Sequence, residues 1–255
     1  MNTVLLKVDN FLEPRILAAE KDFLLVYKPP LMHTAPLRES DSKNIYEWCR
    51  LKFPEIGEFE GRKEGEGGLL HRLDYDTHGL LLIARTREGM EKLLLQQAEG
   101  RILKTYSVLA KKSVKELPGF PEKPFVSQFL HPFNSLREHL YPVNIESGFR
   151  SYGVGRKAVR PETDGDKIYT TEVMDIKKMK NNIYSLDIRL IKGFRHQIRC
   201  HLAWAGYSIL NDPVYGGENY GKGLLALRAA SLSFNDPVTD APLNFSIPPL
   251  LPAFI

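Results

Sequence analysis

The sequence predicts an α+β fold: a largely antiparallel sheet with few helices. Three observations carry this. Apolar residues alternate with polar ones over several short runs, the pattern of strands with one buried face. Two of those runs, Thr171–Met179 and Ile183–Ile191, are joined by Lys180-Asn181-Asn182, a good hairpin turn. Helical periodicity is confined to three stretches of modest length.

In chain order, Val4–Val8, Ile16–Ala19 and Phe23–Tyr27 read as short strands, and Lys28-Pro29-Pro30 as a turn, because proline cannot continue a ladder. Asn44 to Phe53 reads as a helix with Ile45, Trp48 and Cys49 on one face, closed by Pro54. Glu55–Gly68, rich in Gly, Glu and Lys, reads as an exposed loop. Leu80–Arg85 is a buried strand. Glu88 to Gln97 is a helix whose face carries Met90, Leu93, Leu94 and Gln97, stopped by Gly100. Thr105–Ala110 alternates as a strand. Between Lys111 and Asp166 regular pattern fades, leaving short strand candidates such as Phe125–Phe129; so long a loop-rich stretch is uncommon unless functional or disordered. After the hairpin at 180–182, a helix runs from about Arg195 to Ala205 and ends at Gly206. The last fifty residues read as strands separated by two Asn-Asp-Pro turns and an Ala-Pro turn.

At 255 residues the chain suits one large domain or two closely packed subdomains. A chain of that size buries roughly three quarters of its unfolded surface, so no staple is needed. The apolar share of 43% and the charged share of 26% are those of an ordinary soluble protein. Cys49 and Cys200, far apart and without C-x-x-C spacing, point to a reduced, cytoplasmic setting. The N-terminus lacks the basic start and apolar core of a signal peptide. Apolar runs such as 80–84 are far too short to cross a bilayer, so no membrane partner is expected. A net charge of +4 is compatible with a polyanionic partner without requiring one.

The chemistry-bearing segments are few. His71-Arg72-Leu73-Asp74 lies between a Gly-rich loop and a buried strand, where scaffold-held loops place reactive groups. A carboxylate beside arginine and histidine stays ionised, and a positioned, partly desolvated carboxylate is a usable nucleophile. The same residues also suit a turn aspartate paired to a surface arginine. On a helix, Arg195, His196 and Arg199 share a polar face opposite Ile198, Leu202 and Ala205; such a face suits phosphate or carboxylate, or simply solvent. The segment 149–160 interleaves Arg150, Arg156, Lys157 and Arg160 with Phe149 and Tyr152, which suits a flexible RNA and equally a solvated basic loop.

Other chemistries fail on spacing. His196 and His201 lie on different sides of a helix and no Cys/His cluster completes a metal site. Gly153-Val154-Gly155 loosely echoes a dinucleotide motif, but in an irregular stretch with no preceding strand or following helix. Gly65-Glu66-Gly67-Gly68 lacks the Gly-Lys-Ser/Thr of a P-loop, and no G-x-S-x-G elbow occurs. A reaction without metal or cofactor is expected.

Taken together, these segments resemble the RluA branch of the RNA pseudouridine synthases, in order along most of the chain. Leu25–Pro30 is similar to the family's early Lys-Pro segment. His71–Thr86 (HRLDYDTHGLLLIART) resembles the signature around the catalytic aspartate. Lys104-Thr105-Tyr106 matches the Lys-x-Tyr strand, and Gly193–Arg199 the His-Gln-Ile-Arg segment. The fit continues through Gly206, 209–212 and 215–216, then 225–229 and 234–237. The resemblance implies the pseudouridine synthase fold, a mixed, largely antiparallel central sheet flanked by helices and loops, with a catalytic cleft between two subdomains. It implies a single catalytic domain over 1–255 with an irregular basic insertion at about 111–166 and no N-terminal S4-type domain. It also implies Asp74, Tyr106 and Arg199 as catalytic, Arg199 paired with Asp74 and Tyr106 stacked on the base. His71, Arg72, Ile198, Arg195, His196, Arg150, Arg156 and Lys157 would contact substrate. The expected substrate is ribosomal or transfer RNA, acted on by a monomer without cofactor. Two departures bear on RNA choice: Thr77-His78-Gly79 stands where the family has Thr-Ser-Gly, and Gly193-Phe194-Arg195 displaces the motif's first arginine by one position.

Two rival readings remain at this stage. One is a catalytically silent RNA-binding module on the same scaffold. The other is a carboxylate-dependent hydrolase using Asp74 with Glu172 or Asp187, for which no coherent motif exists.

Overall fold

The computed structural model describes residues 3–8, 10–37, 41, 43–113, 117–122 and 142–250. The chain forms two compact units, one of Met1–Lys104 with Arg228–Pro249, the other of Thr105–Leu227 with Leu250–Ile255.

In the first unit, β2 (Arg15–Ala19), β3 (Phe23–Lys28) and β4 (His78–Ala84) form an antiparallel run. β11 (Leu227–Asn235) lies parallel to β4 and antiparallel to β12 (Pro242–Ser246), which pairs in parallel with the short β1 (Val4–Leu5). Every residue of β3 and β4 is buried, so the centre of this sheet is covered on both faces. Phe23, Leu25, Leu80, Leu82 and Phe234 pack there with Met90 and Leu93. Those two come from α2 (Arg87–Ala98), whose Thr86 cap accepts the Gly89 N–H at 3.0 Å. The sequence put Gln97 on the inner face of α2. The buried amide is Gln96, which bonds both ways to the backbone of Asn235. α1 (Ile45–Arg50) is capped by Asn44 and buries Tyr46 as well as Ile45 and Cys49. The loop 55–68 is exposed only in part: residues 62–65 are exposed, but Phe59 and residues 66–68 are buried and a 3₁₀ turn at Pro54–Gly57 roots it through buried Ile56.

In the second unit, β5 (Leu103–Lys112), β9 (Ile183–Leu190), β8 (Tyr169–Lys178), β6 (Val143–Tyr152) and β7 (Ala158–Glu162) lie side by side in that order. The short β10 (Tyr207–Ile209) pairs with β5. α3 (Gln197–Trp204) packs on β7, β8 and β10. The 180–182 turn forms as expected, with Asn181 and Asn182 both left-handed at φ 59° and 55°.

The region read as irregular is not uniformly so. β6 and β7 form an antiparallel hairpin in which Val143, Ile145 and Ser147 are buried while Asn144 and Glu146 are exposed. The proposed strand Phe125–Phe129 lies outside the described residues. Gly153 does follow a strand, contrary to the sequence reading, but another strand comes after it, so no dinucleotide-binding turn arises.

Candidate active site

Asp74 stands in a loop that leads from buried Leu70 into β4, and it is only partly buried. The backbone is held on both sides of it. The Thr34 hydroxyl donates to the Leu73 carbonyl at 2.7 Å and accepts the Leu73 N–H at 3.1 Å. On the other side, the Tyr75 carbonyl accepts from the Met32 N–H and from Lys28 Nζ, each at 3.3 Å, and the Tyr75 ring packs 4.6 Å from His33. Thr77 N–H closes the turn onto the Asp74 carbonyl at 3.1 Å. A carboxylate carried on a backbone fixed in this way is aimed before any ligand arrives.

The positive charge that the Asp74 carboxylate meets comes from an unexpected place. The residues beside Asp74 in sequence suggest His71 and Arg72, and the family resemblance suggests Arg199. His71 is instead enclosed, and burial, with Lys104 and Arg62 adding to it, lowers its pKa to about 3, so the ring is neutral at pH 7. Its Nε2 accepts the Leu82 N–H at 3.2 Å. Arg72 turns to Glu66 in an ion pair. A cation coupled electrostatically to the Asp74 carboxylate is Lys28, fully buried at the end of β3. Burial lowers its pKa to about 7, against the opposing pull of the Asp74 and Asp76 carboxylates. Its Nζ donates to the carbonyls of Pro29 at 2.8 Å and Met32 at 2.7 Å as well as to Tyr75. A lysine closing an apolar strand just before Pro-Pro was the available signal; the sequence reading took it as a turn and as the family's Lys-Pro segment, without giving it a role.

His78, where the family has serine, is also buried. Its Nε2 accepts from Arg228 Nε at 3.1 Å, and burial together with Arg228 and Lys28 holds its pKa well below the usual value. The next residue must be glycine. Gly79 has φ +124°, and a Cβ there would lie 2.2 Å from the Ala229 carbonyl oxygen, where β4 meets β11.

The remaining candidates lie in the second unit. Tyr106 is buried on β5, and Ile198 is buried on α3. α3 starts later than expected, at Gln197, because His196 is left-handed at φ 57°. Every residue of α3 is buried, so it presents no solvated basic face. Arg199 is 1% exposed and grips Asp212 with two hydrogen bonds, Nε–Oδ2 at 2.8 Å and Nη2–Oδ1 at 2.9 Å. Asp212 Oδ1 also accepts the N–H groups of Val214 and Tyr215. Sequence reading saw Asp212 only as part of a turn. The His196 ring meets the Tyr215 hydroxyl at 3.2 Å, and Arg195 donates to the carbonyls of Arg156 and Ala158.

In the basic hairpin, Arg150, Arg156 and Lys157 are exposed, Arg150 reaching the Gly119 carbonyl at 2.7 Å. Arg160 is different: it is buried, bonded to the Pro118 and Val159 carbonyls, with its guanidinium 4.2 Å from the Tyr152 ring centre. One of the four charges therefore serves the interior, and both aromatics pack on buried groups, Tyr152 on Arg160 and Phe149 on His201.

Among the described residues no cluster of His, Cys, Asp or Glu is arranged to hold a metal ion, and no helix is long and apolar enough to cross a membrane.

The profile of a family described as RNA pseudouridylate synthase matches residues 22–204. The chain is 26% identical over 233 residues to the uncharacterized RNA pseudouridine synthase YjbO of Bacillus subtilis, covering 91% of this chain and 71% of that protein. It is 29% identical over 188 residues to ribosomal large subunit pseudouridine synthase D of Zymomonas mobilis, covering 70% of this chain and 51% of that one. The chain thus spans only about half the length of the latter. In fold it is similar to the human RNA pseudouridylate synthase domain containing 1, with a TM-score of 0.62 at 18% identity, over 95% of this chain and 86% of that one.

Proposed function

The chain belongs to the RNA pseudouridylate synthase family, whose members are isomerases acting on RNA, and on that premise we propose that it converts uridine to pseudouridine with Asp74 as the reacting carboxylate. The observation that carries the assignment is the clamped loop, in which Thr34 and Lys28 fix Leu73 and Tyr75 while the carboxylate between them stays partly open. In this reaction the bond from C1′ to N1 of uracil breaks and a bond from C1′ to C5 forms. C5 loses its proton and N1 gains one, so no oxidant or cofactor is called for. Asp74 acts either by attack at C1′ or by removing a sugar proton to give a glycal.

Tyr106 and Arg199 complete the catalytic set by resemblance, with Tyr106 stacking on the base. The target uridine must leave its stack to reach Asp74, at a cost of roughly a few kcal/mol. Arg150, Arg156 and Lys157, exposed on the β6–β7 hairpin, are placed to meet phosphates. By the same resemblance Arg72, Arg195, His71, His196 and Ile198 would contact the substrate. We take the enzyme to be a cytoplasmic monomer. Relatives named for the large ribosomal subunit make ribosomal RNA the first substrate to try, and transfer RNA the second.

The test is release of tritium from RNA labelled at uridine C5. Release by the wild type and none by Asp74→Ala is expected. Equal release by both would remove Asp74 from the reaction. Binding of RNA with no release from either would leave a silent RNA-binding module.

A further inference from the structure

Phe194 stands where the family's motif places its first arginine, and the structure gives it a different surrounding from the one an arginine needs. Its ring stacks on Phe149 at 5.0 Å with an interplanar angle of 4°. Phe149 in turn stacks on His201 at 4.8 Å and 28°. Tyr169 packs against both phenylalanines, 5.0 Å from Phe194 and 5.8 Å from Phe149. The column starts in the core, since His201 is fully buried, with its nitrogens meeting the Ser147 and Thr171 hydroxyls. It ends at the surface, where Phe194 is 36% exposed. One face of the Phe194 ring is taken by Phe149, and the Tyr169 ring packs against it at a tilt of 52°.

The column is held in place. The Phe194 N–H donates to Gln197 Oε1 at 2.9 Å, while Gln197 Nε2 donates to the Thr170 carbonyl and the Thr171 hydroxyl. The next residue, Arg195, bonds to the carbonyls of Arg156 and Ala158, which ties the exposed ring to the basic tip of the β6–β7 hairpin. The acids of this neighbourhood, Glu146 on β6 (accepting from the Thr170 hydroxyl), Glu162 at the end of β7 and Asp164 and Asp166 in the turn after it, lie at the opposite end of the hairpin from Arg156 and Lys157. A rigid, outward-facing aromatic ring beside exposed arginine and lysine is the combination that holds single-stranded nucleic acid, since every base has a face to stack and every nucleotide a phosphate to pair. A duplex offers the phosphates without a free base.

We propose that Phe194, the outer ring of the His201–Phe149–Phe194 column, is a stacking platform for an unpaired RNA base whose neighbouring phosphates lie along Arg156 and Lys157. The proposal rests on the RNA-modifying reading above and deepens it. In this chain an aromatic ring stands where the family's motif has its first arginine, which selects unpaired RNA over a duplex.

The test uses the full chain and a short labelled oligouridylate, with a self-complementary RNA duplex as the second probe. Phe194→Ala should weaken oligouridylate binding roughly ten-fold and leave the slope of log affinity against log salt unchanged. Arg156→Ala should lower that slope by about 0.7. Phe194→Trp should bind like the wild type, and its new indole should be quenched by the oligouridylate, beyond the baseline from Trp48 and Trp204, and not by the duplex. Unchanged affinity in Phe194→Ala, or an indole that no single strand quenches, would overturn the platform while tritium release by the wild type kept the isomerase reading alive. Wild-type protein that neither binds RNA nor releases tritium would overturn both.

Discussion

The Asp74 loop of the first unit and the Arg199 helix of the second carry the two charged candidates, and they are built in opposite ways. Around Asp74 the structure fixes the backbone and leaves the carboxylate partly open: Thr34 holds Leu73, Lys28 and Met32 hold Tyr75. Around Arg199 the side chain itself is enclosed, 1% exposed and bound twice to an Asp212 that is 0% exposed. A group meant to react has to be aimed yet available. A buried charge has to be matched where it sits, because an unmatched one in the interior is costly. Loss of the Asp74 charge should therefore be read in turnover, and loss of the Asp212 charge that holds Arg199 in stability.

The largest expected effect is on the first. Asp74→Ala should lower tritium release by on the order of 10⁴-fold or more, as loss of a nucleophile does elsewhere. Its stability in a denaturant titration should stay within about 1 kcal/mol of the wild type, because the side chain is part-exposed. A large loss of stability with activity retained would reverse the assignment of roles. Next comes Asp212→Asn, which keeps the shape and removes the carboxylate charge that Arg199 grips. It should cost about 3–5 kcal/mol, read as a fall in the denaturation midpoint. Should the midpoint stay put, Arg199 would not depend on Asp212, and the contrast between the units would be lost.

These two sites also show what the sequence could and could not disclose. The Asp74 signature was legible because its parts adjoin: apolar strand, preceding loop and acid all fall within 71–86. The hairpin at 180–182 was legible for the same reason, since two asparagines suit left-handed backbone. The Lys28–Asp74 relation spans 46 positions and the Arg199–Asp212 pair joins a helix to a turn, so neither has a local pattern. The charge of His71 was misread because adjacency in sequence says nothing of enclosure, and enclosure makes that ring neutral. The β6–β7 hairpin was missed for a different reason. Val143 and Ile145 do alternate with polar residues, but they follow a stretch where proline, glycine and charge mask the onset of the period.

A subtler difference between the units lies in two neutral histidines, His71 in the first and His201 in the second, both with a pKa lowered to about 3 by burial. An unfolded histidine takes a proton near pH 6.5 while these do not, so between about 6.5 and 3 the unfolded chain binds more protons than the folded one. Stability is then full above that window and falls as pH drops through it. His71 Nε2 must stay unprotonated to accept the Leu82 N–H, and His201 lies between two hydroxyls that can each turn to donate or accept. Denaturant midpoints taken between pH 7 and 4 should fall with acidity in the wild type and fall less in His71→Gln. An identical acid limb in that variant would assign the loss to other groups.

A modest effect, spread over stability and turnover, is the most informative about the clamp. Thr34→Val replaces a buried hydroxyl by a methyl of similar size and leaves the Leu73 carbonyl and N–H without the partner they share. The fold should lose about 1–2 kcal/mol, as for a buried polar group left unsatisfied. If the clamp exists to aim Asp74, kcat for tritium release should fall by more than KM changes, since misplacing a reacting group by a fraction of an ångström acts on the transition state rather than on binding. If instead the variant loses stability with kcat intact, Thr34 is only a packing contact. The aim of Asp74 would then come from the Lys28 side of the loop alone, where the donors to the Tyr75 carbonyl remain.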